Sequence, residues 1–355
     1  MKNYLALLLF YSLASLVAPS LPGASAQPQA SIVPTKAQQL VRRFQTRGSA
    51  VALAFSDDNR YLAAAGDYQV NRRDSTWEDR ISVWELESGK LVSSFTTRGH
   101  VNFLAFRDRQ GRELWSGAEE AGDFGEVVLW DVQSGNSQKR FRCPDDLTYM
   151  ALSPDKSQIV VEPYGSVLLL NAKTLKVQKQ LKFKEGEAIQ DPIHYSADSR
   201  LLLMTQPTSQ KISIWDARSG ALLHTLAFNK GEGASEVWFH DSKNRYFLSG
   251  GERFALRDAQ NLRVVKTLGL YPSGTVVLSP SQKWAFSGDC DVRGDDPHNP
   301  YAVRVWDVQR DKLLIKWKGH TNNIRSGAFS RDERLLASGD STGRINVWNL
   351  SSLHP

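Results

Sequence analysis

Apolar and polar positions alternate in short runs along nearly the whole chain, and the runs recur in a fixed order. Each unit opens with an alternating apolar strand that ends in a Ser or Asp turn, such as VALAFS at 51–56 or RSGAFS at 325–330. A second apolar strand ending near Gly follows, as in YLAAAG at 61–66 and WAFSG at 284–288. A third strand ends in Trp-Asp or a relic of it, and a fourth, more polar strand closes the unit. Alternation of this period over four to eight residues, bounded by turn residues, predicts strands.

The third strands are the clearest markers: ISVWEL at 81–86, VVLWDV at 127–132, VLLLNA at 167–172, ISIWDA at 212–217, FALRDA at 254–259, VRVWDV at 303–308 and INVWNL at 345–350. Their central positions, Trp84, Trp130, Leu170, Trp215, Arg257, Trp306 and Trp348, are spaced by 46, 40, 45, 42, 49 and 42 residues. A period in the forties with four strands per unit predicts an all-β fold, a seven-bladed β-propeller with four-stranded blades. After Trp348 the chain stops before a fourth strand can form, whereas LVRRF at 40–44 has the fourth-strand pattern and precedes the first unit. The N-terminal strand is therefore expected to complete the last blade and close the ring, leaving no long unpaired edge between its ends.

The chain resembles the WD-repeat family from about Leu40 onward. The resemblance rests on Trp130-Asp131, Trp215-Asp216 and Trp306-Asp307, the variants Trp84-Glu85 and Trp348-Asn349, and the Gly-His steps Gly99-His100 and Gly319-His320. It implies a structural hydrogen-bonded set of His, Ser or Thr, Asp and Trp within a blade. The last blade offers His320, Ser338 and Trp348, with Thr342 where the Asp belongs, and the second offers His100, Ser116 and Trp130 with a displaced Asp123. These histidines read as structural donors rather than as bases or ligands. The resemblance does not name a partner, because WD propellers serve many unrelated assemblies.

Three segments are expected: a secretory signal at 1–26, a flexible lead-in at 27–38 and the propeller at 39–355. Lys2, an apolar run from Leu5 to Val17 and Ala24-Ser25-Ala26 give the order of a signal peptide cleaved before Gln27. The run is shorter than the roughly 20 residues of a spanning helix, so the mature chain is expected to be secreted or periplasmic, without membrane insertion. The net charge of +6 is a mild basic excess spread through the sequence, and no Lys/Arg block has the density of a nucleic-acid arm. Cys143 and Cys290, the only cysteines, fall on nearly opposite blades and are expected to be free thiols.

No Gly-x-Ser-x-Gly elbow, zinc spacing or phosphate loop is present. The expectation is a non-catalytic scaffold for protein–protein interaction, without cofactor or metal. Its docking face is predicted from loop length. From the Gly ending the second strand to the marker Trp, the last blade takes nine residues, blades one and six take 18, and blade two takes 13. Those blades are consecutive round the ring with the last, so the additions gather on one arc of one face, where repeat proteins often carry binding. The candidate contacts are Tyr68, Arg72, Arg73 and Trp77 in the first blade, Glu119 and Asp123 in the second, and Asp291, Arg293, Asp295, Asp296 and His298 in the sixth. Glu120 and Glu126 add to an acidic flank. Asp289, Asp291, Asp295 and Asp296 also admit a calcium reading, although their spacing departs from the EF-hand loop. The alternative function is binding of a small molecule or glycan at the channel mouth, with enzymatic activity conceivable there; it requires polar groups converging on the axis.

Overall fold

The structure is a computed structural model, and it describes residues 40–66, 69–70, 77–119, 124–163, 166–183, 193–206, 211–228, 236–240, 245–250, 253–258, 261, 263–269, 275–288 and 301–353. The expected signal and lead-in lie outside these residues. All described residues belong to the unit Thr35–Pro355, which folds as an all-β propeller of antiparallel sheets.

The expectation of seven four-stranded blades is corrected: six four-stranded blades are present, not seven, and the remaining sheet has five strands. That sheet, the first in the chain, holds Ala52–Phe55, Tyr61–Ala65, Trp77–Glu85, Leu91–Arg98 and the added strand Gln69–Val70. The cause is the long connection between its second and third strands. The third strand starts early, at Trp77, and its extra residues pair with Gln69–Val70 on one side and with Thr96–Arg98 on the other. Gly66 ends the second strand where a side chain would collide with the Ser49 backbone, and its N–H and C=O bond to Arg80 and Gly48.

The four-stranded sheets follow in chain order. The second runs His100–Phe106, Glu113–Glu119, Glu126–Asp131 and Ser137–Arg142, and the third Leu147–Leu152, Gln158–Pro163, Val167–Asn171 and Val177–Leu181. The fourth, fifth and sixth end in the outer strands Leu222–Ala227, Val264–Thr267 and Lys312–Trp317. The last sheet takes Ile324–Phe329, Leu335–Asp340 and Arg344–Asn349 from the chain's end and Leu40–Gln45 from its start. Phe44 there pairs with Ile345, as the sequence led us to expect of the N-terminal strand.

Each apolar cluster lies between two neighbouring sheets. Val128 and Trp130 pack with Ile81 and Val83, for example, and Trp215 packs with Val167 and Leu169. The cluster of Phe44, Ile345 and Val347 with Leu53, Leu62 and Trp84 joins the last sheet to the first. Second and third strands are thus covered on both faces, so Ile159–Val161 and Val167–Leu170 are buried throughout rather than on alternate residues. Among the described residues the outermost strands are the most exposed, as in Ser137–Arg142.

The turns between first and second strands share one construction. Ser56, Ser153, Ser196 and Ser330 each donate a hydroxyl hydrogen bond of 2.6–2.7 Å to the Asp two residues on. Each accepts a backbone N–H five residues on at 2.9 Å. The residue between, Asn59, Lys156, Ser199 or Glu333, takes φ of 58–62°. The Ser side chain thus supplies the bond that closes the reversal.

Candidate functional site

The long connections leave the first, second and sixth sheets from second strands ending at Ala65, Glu119 and Gly288. Tyr68, Arg72, Arg73, Asp123, Asp291, Arg293, Asp295, Asp296 and His298 lie outside the described residues, as do Glu120 and Asp289. Trp77 heads the extended third strand of the first sheet, its backbone paired with Val70. Glu119 ends its strand with an exposed side chain, Oε1 4.0 Å from His100 Nδ1.

Beside these residues the structure places a group that sequence reasoning missed. Phe124, 39% exposed, lies under the Arg142 guanidinium at 5.4 Å from ring centroid. Glu126, by contrast, is buried and accepts from Arg140 at 2.8 Å and Arg142 at 3.4 Å, so it holds those arginines in place rather than forming part of an acidic flank. Asp79, also buried, anchors the root of the first connection by accepting Val101 N–H at 3.1 Å from the second sheet.

The last sheet holds a complete structural set, and one assignment is corrected. The carboxylate is Asp340 rather than the residue at Thr342. His320 Nδ1 lies 2.8 Å from Asp340 Oδ2, His320 Nε2 lies 2.7 Å from Ser338 Oγ, and Trp348 Nε1 donates to the same Oγ at 2.8 Å. Thr342 instead donates its N–H and hydroxyl to Asp340 Oδ1 at 2.9 and 2.6 Å. Burial pushes the Asp340 carboxyl up, but hydrogen bonds from His320 and Thr342 outweigh it and hold the group below the usual carboxylate range. Ser, His and Asp in hydrogen-bonded order resemble a hydrolase triad, yet Oγ already accepts the indole N–H and all four side chains are buried. A nucleophile must reach its substrate, so this set is a structural clamp. In the second sheet Trp130 likewise donates to Ser116 Oγ at 2.8 Å.

On the inner turns, Asp57 accepts from Lys156 at 2.7 Å and from Arg331 at 2.5 Å. Those three residues come from the first, third and last sheets, so charged groups do converge, with one carboxylate held between two cations. Glu333 likewise takes Ser281 N–H and Oγ at 2.5 and 2.9 Å. Among the described residues no group of three or more His, Cys, Asp or Glu could hold a metal ion, and the residues of the calcium reading lie outside them. Cys143 is a buried free thiol, its pKa pushed up to about 12 by burial and the Glu126 charge; Cys290 lies outside the described residues.

Antiparallel sheets packed face to face, the first and last sharing one core and the chain's two ends sharing one sheet, define the class: a β-propeller. Comparisons with known proteins support a likeness to the WD-repeat family, strongest in the last sheet. The sequence profile "WD domain, G-beta repeat" matches residues 311–349, a span from the outer strand of the sixth sheet through the third strand of the last, the same offset by which Leu40–Gln45 completes that sheet. The chain is similar to Protein ROOT INITIATION DEFECTIVE 3 of Arabidopsis thaliana, 43% identical over 51 residues, 14% of this chain and 12% of that protein. It is also similar to Apoptotic protease-activating factor 1 of Homo sapiens, 26% identical over 157 residues, 40% of this chain and 12% of that protein. A third relative, WD repeat-containing protein AAC3 of Dictyostelium discoideum, is 23% identical over 179 residues, 50% of this chain and 36% of that protein. The chain thus spans 12% to 36% of the length of these relatives. Among the described residues no helix is long and apolar enough to cross a membrane.

Proposed function

We propose that the chain is an exported, non-catalytic platform that docks a protein partner on the face carrying the long connections of the first, second and sixth sheets. The observation that carries this reading is the exposed Phe124 stacked under Arg142, with Glu126 fixing the guanidinium at the strand end beside one such connection. Aromatic and Arg side chains held rigid are the usual anchors of protein interfaces. Phe124 and Arg142 join Tyr68, Arg72, Arg73, Trp77, Glu119, Asp123, Asp291, Arg293, Asp295, Asp296 and His298 as candidate contacts. The likeness to the WD-repeat family supports a docking role, and the sealed Ser338–His320–Asp340 set supports a non-catalytic one. The signal-like order of residues 1–26 supports export, to a secreted or periplasmic location.

The test is partner capture by crosslinking, comparing the chain from Gln27 with a folded version whose connections 67–80 and 289–300 are cut to the length used in the last sheet. A partner held by the first and lost by the second is the expected result. Equal capture by both would overturn the assignment of this face.

A further inference from the structure

The basic residues that look dispersed along the sequence are gathered by the fold onto its outer edges. The outermost strand of every sheet is free of Asp and Glu; that of the second sheet carries three Lys or Arg, those of the sixth and last two each, and that of the third one, which lysines in the turn before it and just beyond it extend into a basic run. Ser137–Arg142 carries Lys139, Arg140 and Arg142, all exposed. The turn and outer strand of the third sheet carry Lys173, Lys176, Lys179 and, one residue beyond, Lys182, again all exposed. The two edges are tied side by side, because Lys139 Nζ donates to the Lys173 carbonyl.

One comparison among the sheets singles out this arc, and a second singles out its third-sheet half. In every outer strand one residue near its start bulges out of register. It is aliphatic in the others, for example Val41, Leu223 and Val265, each 45–49% exposed, but Gln138 and Gln178 in the second and third sheets. The turn before the outer strand begins with Asp131 in the second sheet and Asp216 in the fourth, yet with Asn171 in the third. Asn171 Oδ1 still accepts Lys173 N–H, Thr174 N–H and the Thr174 hydroxyl at 2.9, 2.9 and 3.1 Å. Asp216 Oδ1 takes Arg218 N–H and the Ser219 N–H and hydroxyl in the same way at 3.1, 2.7 and 2.7 Å. The turn is preserved and only the negative charge is gone.

From this we infer that the outer edges of the second and third sheets dock an extended acidic segment of a protein. The inference extends the docking role proposed above to a second surface. Each outer strand is paired along one edge only, so its other edge offers backbone N–H and C=O groups to an added strand. Acidic side chains on that strand would lie opposite the basic ones, the favourable cross-strand pairing. Lysines on a bare edge also discourage pairing between copies of the chain, which favours an acidic occupant over a second copy. Among the described residues the one exposed aromatic ring beside this edge, Phe124, already lies under Arg142, whereas single-strand nucleic-acid sites offer a row of free aromatic faces.

The test uses the full chain and a labelled peptide of alternating Glu and Val, read by fluorescence anisotropy at about 0.05 M and 0.5 M salt. Binding at low salt is expected. It should weaken on the order of tenfold in K173E/K176E/K179E/K182E and about two- to fivefold in N171D, which keeps the turn bonds and restores one charge. K312E/K316E, on the outer strand of the sixth sheet, should bind as the parent does. The inference is overturned by any of three results: no binding by the parent, equal loss in K312E/K316E, or tighter binding of an oligonucleotide or of anionic vesicles than of the peptide. Those results leave the loop-face reading standing, since it depends on connections these variants do not touch.

Discussion

Replacing Asp340 by Ala should be among the most damaging single changes in the ring. Its carboxylate accepts from His320 Nδ1 at 2.8 Å, Thr342 N at 2.9 Å, Thr342 Oγ1 at 2.6 Å and Arg344 N at 3.1 Å. Asp340 is fully buried, so Ala would leave donors without either carboxylate or water. A hydrogen bond to a charged group contributes about 1.5–3 kcal/mol, and an orphaned buried donor costs about 1–3 kcal/mol. With the turn free to relax, a net loss of about 3–5 kcal/mol is expected, in line with breaking a buried pair from one side. The comparison is Glu119→Ala in the second sheet, where the carboxylate is exposed and 4.0 Å from His100; about 0.5 kcal/mol is expected there. Urea unfolding followed by tryptophan fluorescence measures both. A loss under about 1 kcal/mol for Asp340→Ala, or equal losses for the two, would refute the claim that the carboxylate locks the last sheet.

Other outcomes follow from the same geometry. Phe44 is buried and stacks at 5.1 Å on Trp84 of the first sheet, so Phe44→Ala should cost about 3–5 kcal/mol; hydrogen exchange should rise in both the first and last sheets rather than in the last alone. Cys143 should resist thiol reagents in the native protein and react once unfolded, its thiol being buried with a pKa of about 12; peptide mapping of the labelled site checks this. The carboxyls of Asp131, Asp216 and Asp340 sit below their ordinary values, held there by hydrogen bonds. A group depressed in the folded state stabilises it above the unfolded pKa, near 3.9, and that stability is lost as pH falls through the folded value. Acid unfolding should therefore set in below about pH 4, and Asp340→Ala should flatten part of that limb in a pH series of urea midpoints.

Much of the fold was legible because burial repeats with the chain. Trp84, Trp130, Trp215, Trp306 and Trp348 all fall in third strands, and Leu170, in the Trp place, is fully buried. Arg257, the other substitution, is also buried and lies over Phe228 at 5.5 Å, so the position tolerates a cation that stacks. The fifth strand of the first sheet was not legible, since a two-residue pairing such as Gln69–Val70 has no period to detect. The Asp of the structural set was misplaced by two residues because the second strand runs on through Gly339 to Asp340 before turning. Glu126 looked like part of an acidic surface because its cationic partners, Arg140 and Arg142, come from the next strand. Most predicted contacts lie on connections outside the described residues, while Phe124 and Arg142 stood apart in sequence and meet only through the sheet.

The most direct measurement is hydrogen exchange on the chain from Gln27 with and without its captured partner. Protection at 67–80, around Phe124 and at 289–300, with the inner turns near Asp57, Lys156 and Arg331 unchanged, is what docking on the loop face predicts. Protection confined to those inner turns, with the long connections exchanging as in the free chain, would contradict it.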